Sequence, residues 1–223
     1  DLPGRRLTRA PPGYRASTHG YADLIALVTD RIGVHRYVVV GNSMGGATAW
    51  TLALHHPEQL RGLVLVDAAG WPGPHRREGP PALLGGLLRS SLGRSLARTA
   101  DPEPLARQGL PRAYVDPALV TPDLVARYSE LARAPGHREI LITIDSRPAE
   151  PVTPTTFAAI QIPTLVMHGE ADALIPVADG RAFAAAIPRA RLVTYPGVGH
   201  VPMEQIPDQS AGDLRVFLQS LAP

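Results

Sequence analysis

The sequence has no cysteine, no lysine, few aromatic residues and no long apolar run, and each absence excludes a class of function. Without cysteine there is no disulfide framework, no thiolate metal site and no cysteine nucleophile. Without lysine, Schiff-base and Ser–Lys chemistry are excluded. All 22 basic side chains are arginine, against 20 acidic ones, for a formal net charge of +2. Those arginines are spread along the chain, with no basic run and no interleaved aromatics. Neither a nucleic acid nor a membrane surface is therefore an expected partner. No stretch approaches the ~18 apolar residues of a membrane span. No secretory signal pattern is visible either, so the cytoplasm is the default location.

What is present suits a compact α/β enzyme. The chain has 223 residues, 44% of them hydrophobic and 19% charged, which is enough to bury a sizeable core. Its 24 prolines and 21 glycines are scattered, which implies many turns and no fibrous repeat. Four short apolar runs read as strands: Tyr37–Val40, Leu63–Val66, Thr164–Met167 and Leu192–Tyr195. They are continuous rather than alternating, as parallel strands covered on both faces should be. One amphipathic helix is expected over about Tyr21–Ile32, with Thr18 as N-cap and Gly33 as its stop. Another, near the C-terminus, places Ala211, Leu214, Phe217, Leu218 and Leu221 on one stripe. Between Trp71 and Gln161 no strand is evident, only helical pieces broken by Pro and Gly, over Pro81–Leu96, Pro122–Arg133 and Arg138–Ile144. Ninety such residues are too many for a loop and read as a helical insertion.

Gly41-Asn42-Ser43-Met44-Gly45 is a G-x-S-x-G pentapeptide directly after the first run and before a helical pattern. In that setting the serine sits on a sharp, strained strand-to-helix turn, and Gly41 and Gly45 flank it where side chains have little room. The turn lifts the Ser43 hydroxyl over the carboxyl ends of the strands and aims the Met44 N–H at the same point. A serine nucleophile needs a histidine base oriented by a carboxylate. Asp172 follows the third run and His200 the fourth, which places both at the same sheet edge as Ser43. Asp67, directly after the second run, is the alternative acid.

The segments VGNSMGGATAW, LRGLVLVDAAG, IPTLVMHGEADALIP and GVGHVPMEQIPDQSAGDLRVFL resemble the α/β-hydrolase superfamily, in its esterase and meta-cleavage-product-hydrolase-like branch. The resemblance implies a mainly parallel sheet flanked by helices, with 1–70 and 161–223 as core and 71–160 as a helical cap. It implies Ser43 as nucleophile, Asp172 as acid, His200 as general base and the Met44 N–H as an oxyanion donor, with no cofactor and no metal. The family's upstream strand ending in H-G is absent, since His19-Gly20 opens a helix, and Asp1-Leu2-Pro3-Gly4 resembles the family's D-x-P-G segment. The expectation is therefore that roughly 50–80 residues of the fold, about three or four strands and a helix, lie outside this sequence. That would leave Tyr37–Val40 as an open sheet edge.

The expected reaction is hydrolysis of small apolar carboxylic esters through an acyl-enzyme, by a monomer or homodimer. The alternatives are C–C hydrolysis of a meta-cleavage product and an inactive, ligand-binding module. Such C–C hydrolases carry tryptophan after the catalytic histidine, whereas Val201 and Pro202 follow His200 here. Among secondary candidates, His168 reads as a core histidine and His55-His56 as helix-terminal residues. Asp145 and Glu170 are rim candidates. Trp71, Leu83, Leu84, Leu87 and Leu88 are divided evenly between acyl pocket and cap core.

Overall fold

The computed structural model describes residues 1–5, 7–11, 13–73, 90–144 and 151–221. The elements in chain order are α1 (Thr18–Arg31), β1 (Tyr37–Asn42), α2 (Met44–His55), β2 (Leu60–Val66), α3 (Ser91–Thr99), α4 (Glu103–Tyr114) and α5 (Pro122–Arg133). There follow α6 (His137–Thr143), β3 (Thr164–Gly169), α7 (Val177–Ala186), β4 (Ala190–Tyr195), α8 (Pro202–Gln205) and α9 (Pro207–Ser220). They divide between two compact units. One holds the sheet and comprises Thr18–His75, Ala113–Val115 and Ser146–Pro223; the other comprises Asp1–Ser17, Arg76–Arg112 and Asp116–Asp145.

In the sheet unit the four strands pair in parallel in the order β1-β2-β3-β4. The central strands show why their apolar runs are unbroken. Leu63 and Leu65 enter one core with Ala22, Ala26, Trp50, Leu52 and Phe183, from α1, α2 and α7. Their neighbours Val64 and Val66 enter a second core with Leu165, Met167, Phe217 and Leu221, on the α9 side. Successive side chains of a strand point to opposite faces, so both parities must be apolar when both faces are covered. Each such side chain contributes about 1.5–3 kcal/mol through its burial. β1 is the open edge of the described sheet, as expected, although its apolar run reads as a buried strand. It pairs on one side only among the described residues, and Val40 within it is 50% exposed.

Helix boundaries differ from the sequence reading in instructive ways. α1 begins at Thr18 itself, so Thr18 is inside the helix and not its cap. Gly33, in the left-handed region at φ 71°, does end it. In α9 the buried stripe is narrower than expected. Phe217 and Leu221 are buried, but Ala211 and Leu218 are exposed, because Leu218 follows Phe217 around the helix toward solvent.

The second unit is helical, built from α3, most of α4, α5 and α6. α5 occupies the expected residues; α4 was not expected, with Pro111 inside it. Residues 1–17 group with these helices, and Gly4 lies so close to Ile140 that a Cβ there would meet the Ile140 Cγ1 at 2.3 Å. Leu83, Leu84, Leu87, Leu88 and Asp145, and most of the expected Pro81–Leu96 helix, lie outside the described residues. Among the described residues no helix is long and apolar enough to cross a membrane.

Candidate active site

Ser43 occupies the single residue between β1 and α2, at φ 54° and ψ −118°. A non-glycine residue at such angles carries strain of roughly 1–3 kcal/mol and persists only where its surroundings fix it. Here they do. The Ser43 N–H donates to the Val66 carbonyl at 3.0 Å, and the Ser43 carbonyl accepts from the Ala47 N–H at 3.1 Å and the Ala69 N–H at 2.9 Å. The hydroxyl makes no cap to α2. Met44 is the first residue of α2, so its N–H belongs to the helix N-terminus, which favours negative charge.

The glycines of the turn are not equivalent. A Cβ on Gly41 would stand 2.1 Å from the Gly45 carbonyl oxygen and 2.6 Å from the Gly46 nitrogen. One on Gly46 would stand 2.5 Å from the Ala68 Cβ. One on Gly45 meets nothing within 4 Å. The expectation that Gly45 is needed for lack of room is therefore corrected. Gly41 and Gly46 make the close approaches of strand to helix and helix to the end of β2.

Asp172 and His200 stand beyond the carboxyl ends of β3 and β4 and are 9% and 7% exposed. The His200 Nδ1 lies 2.7 Å from Asp172 Oδ2. The other oxygen, Oδ1, accepts from the Leu174 and Ile175 N–H groups at 2.7 and 3.0 Å. Burial pushes the Asp172 carboxyl up, but the His200 hydrogen bond and charge and those two N–H donors outweigh it, so it lies below the usual carboxylate range. With an ionised carboxylate at Nδ1, that nitrogen carries the proton and Nε2 is the basic one.

The two halves of the site are joined by the residue before the serine. Asn42 Nδ2 donates to the Val66 carbonyl at 3.2 Å and to the His200 carbonyl at 3.0 Å. The His200 loop is also pressed against β3: a Cβ on Gly169 would stand 2.1 Å from the Gly199 carbonyl oxygen. Nothing in the pentapeptide signals that Asn42 reaches a residue 158 positions away. Only the topology does.

Asp67 is not bonded to His200. It is fully buried at φ 43°, with Oδ1 accepting from the Gly169 N–H at 2.9 Å and Oδ2 buried without a partner. Burial, reinforced by the Asp172 charge and opposed by that Gly169 bond, pushes its carboxyl up to about 8. Of the two neighbouring acids, Asp67 thus keeps the proton and Asp172 the charge. His168 is the expected core histidine. It has no exposure, its Nε2 donates to the Ile175 carbonyl at 3.0 Å, and burial pushes its pKa down.

Asp67, His168 and Asp172 each offer one ligand atom, all within 4.8 Å of one another. A cation there would have to displace the His168–Ile175 and His200–Asp172 bonds, so the donor set does not fit a resident metal. The other candidates have ordinary places. Glu170 is exposed and accepts from the Thr194 hydroxyl at 2.8 Å. His56 Nε2 is 3.0 Å from Asp23, and His55 meets His19 edge-on. Trp71, half-buried, stacks on Phe157 at 5.3 Å and meets Phe183 edge-on, packed against the α1/α2/α7 core of the sheet unit.

Comparison with known proteins identifies the family and the fold. The family model described as the alpha/beta hydrolase fold matches residues 1–206. The 2-hydroxymuconate semialdehyde hydrolase of Pseudomonas putida is 28% identical over 90% of this chain and 68% of its own. The 2-hydroxy-6-oxononadienedioate/2-hydroxy-6-oxononatrienedioate hydrolase of Comamonas testosteroni is 30% identical over 77% of this chain and 58% of its own. The chain thus spans 58–68% of the length of these curated relatives. Among solved structures, a meta-cleavage product hydrolase from Pseudomonas fluorescens IP01 superposes with a TM-score of 0.82, covering 98% of this chain and 78% of that one. At 24% identity, that likeness speaks for the fold alone.

Proposed function

We propose a reaction for this chain from one premise: the chain belongs to the alpha/beta hydrolase family. It acts as a serine hydrolase by acyl transfer. Ser43 Oγ attacks a carbonyl carbon while its proton passes to His200 Nε2. Negative charge develops on the carbonyl oxygen, where the Met44 N–H donates to it. The bond to the leaving group then breaks, and the His200 proton goes with that group. Water, deprotonated by the same nitrogen, attacks the acyl-serine and releases the acid and Ser43. Asp172 holds the imidazole tautomer and stabilises the imidazolium without taking the proton. The observation that carries this reading is the 2.7 Å bond from His200 Nδ1 to an Asp172 whose other oxygen is already held by two N–H groups.

The preferred substrate class is a small apolar carboxylic ester, whose alkoxide leaving group needs only the His200 proton. A second reading is favoured by the curated relatives, whose names denote hydrolases of oxo-dienoic acids. There the bond broken is C–C, and the departing electron pair must be delocalised and protonated on carbon. Parallel turnover of p-nitrophenyl butyrate and a 2-hydroxy-6-oxo-hexadienoate decides between them. The ester reading expects release of p-nitrophenol, lost in Ser43→Ala, with the dienoate left intact. Cleavage of the dienoate alone would transfer the assignment to C–C hydrolysis. No Ser43-dependent turnover of either would leave a non-catalytic module.

A further inference from the structure

The loop carrying His200 is held from a second side by a short piece of chain far away in sequence. Ala113–Val115 belongs to the sheet unit although the residues on either side of it do not. The Ala113 carbonyl accepts from the His200 N–H at 2.7 Å. The approach is so close that a Cβ on Gly199 would stand 2.3 Å from the Ala113 oxygen and 2.8 Å from the Val115 Cγ2. Val115 itself sits at φ 63°, in the left-handed region. For a β-branched residue that is a true outlier, kept only where neighbours enforce it.

One side chain ties these pieces together. The amide oxygen of Gln205 accepts from the Gly199 N–H at 2.7 Å, and its amide nitrogen donates to the Tyr114 carbonyl. Beside it the Tyr114 hydroxyl donates to Glu204. A primary amide accepts from one backbone segment and donates to the other at the same time, whereas a carboxylate can only accept. The two residues it bridges, Gly199 and Tyr114, are the immediate neighbours of the two joined by the His200–Ala113 bond.

We propose that Gln205 is a positioning residue for the general base, its amide fixing the backbone of His200 against Ala113–Val115 so that the imidazole points along the Asp172–Ser43 line. This rests on the reading of His200 as base. A displacement of about 1 Å at the base costs on the order of 10²-fold in rate. Gln205 touches no reacting atom and acts through the His200 backbone.

The test is steady-state hydrolysis of p-nitrophenyl acetate by the full chain, as wild type, Gln205→Met, Gln205→Glu and His200→Ala. Gln205→Met keeps length and removes both hydrogen bonds; Gln205→Glu keeps the acceptor for Gly199 and places a charge against the Tyr114 carbonyl. The proposal expects kcat to fall roughly 10- to 100-fold in Gln205→Met with KM nearly unchanged, and Gln205→Glu to fall in between. The rates are to be referred to the folded, monodisperse fraction. Wild-type kcat in both variants, or a loss matched by the loss of folded protein, would overturn it. So would failure of both variants to fold, which would make Gln205 a folding residue only. Turnover that is absent in wild type or survives in His200→Ala would instead sink the underlying reading, and the proposal with it.

Discussion

The nucleophile and the acid–base pair stand at the ends of strands in one sheet, yet different physics holds them. Around Ser43, exclusion is added to three backbone hydrogen bonds: at Gly41 and Gly46 there is no room for even a methyl group, and the Ser43 backbone runs through a positive φ. Close approaches also crowd the His200 loop at Gly169 and Gly199, but the two side chains are oriented by attraction, through the Asp172 bonds to Leu174, Ile175 and His200 and the His200 N–H bond to Ala113. A site held by exclusion is broken by adding atoms, and one held by attraction by removing a partner.

The variants that press on that contrast run from the largest expected loss to the smallest. Asp172→Asn preserves shape but offers His200 Nδ1 an amide in place of a carboxylate, which favours the wrong tautomer. A loss of about 10⁴ in kcat with little change in unfolding midpoint is expected, from ester turnover and urea titration. A variant within tenfold of wild type would mean that Asp172 is not the orienting acid. Gly41→Ala should lower stability by about 3 kcal/mol or more in the same titration, since the new Cβ meets backbone that cannot swing away. Gly45→Ala is the matched control. Its Cβ enters open space inside α2, so it should be neutral or stabilise by up to about 1 kcal/mol. Equal losses at Gly41 and Gly45 would refute the account of the turn.

The last prediction concerns a pH profile, at Asp67, where attraction is incomplete. Its carboxyl is raised from 3.8 to about 8, so between those values the folded state holds a proton that the unfolded state has released. Stability should therefore fall as pH rises through that window. Asp172 shifts in the opposite direction, and its contribution is lost only as the pH falls below the ordinary carboxylate range. Asp67→Asn should flatten the decline between about pH 4 and 8 in a thermal melt series. An unchanged slope would show that Asp67 is ionised throughout.

The same contrast explains what could be read from the sequence. Exclusion is written locally: four apolar runs gave four parallel strands, and the pentapeptide marked the turn, because strand, glycine and serine are adjacent. The small residues after the serine, Gly46 among them, also fit a helix lying tight against the sheet, but the local pattern counted Gly45 with them although its Cβ meets nothing, and Ala68, which crowds Gly46, is 22 positions away. Attraction is written across distance. Asp172 and His200 were legible because each follows a strand end, but the Asn42–His200, Gln205–Tyr114 and His200–Ala113 contacts join residues about 90 to 160 apart. No periodicity carries such pairs. Asp67 fell between the two cases, since its place after β2 fits an acid and only its partners distinguish it from Asp172, which bonds His200 while Asp67 does not.

The most direct measurement is the intact mass of the chain after exposure to a fluorophosphonate, which phosphonylates an activated serine. The account predicts a single adduct mapping to Ser43, absent in Ser43→Ala and abolished or strongly slowed in His200→Ala. No adduct on folded, monodisperse protein, or an adduct at Ser43 indifferent to His200, would contradict the claim that these strand ends form a nucleophile and its base.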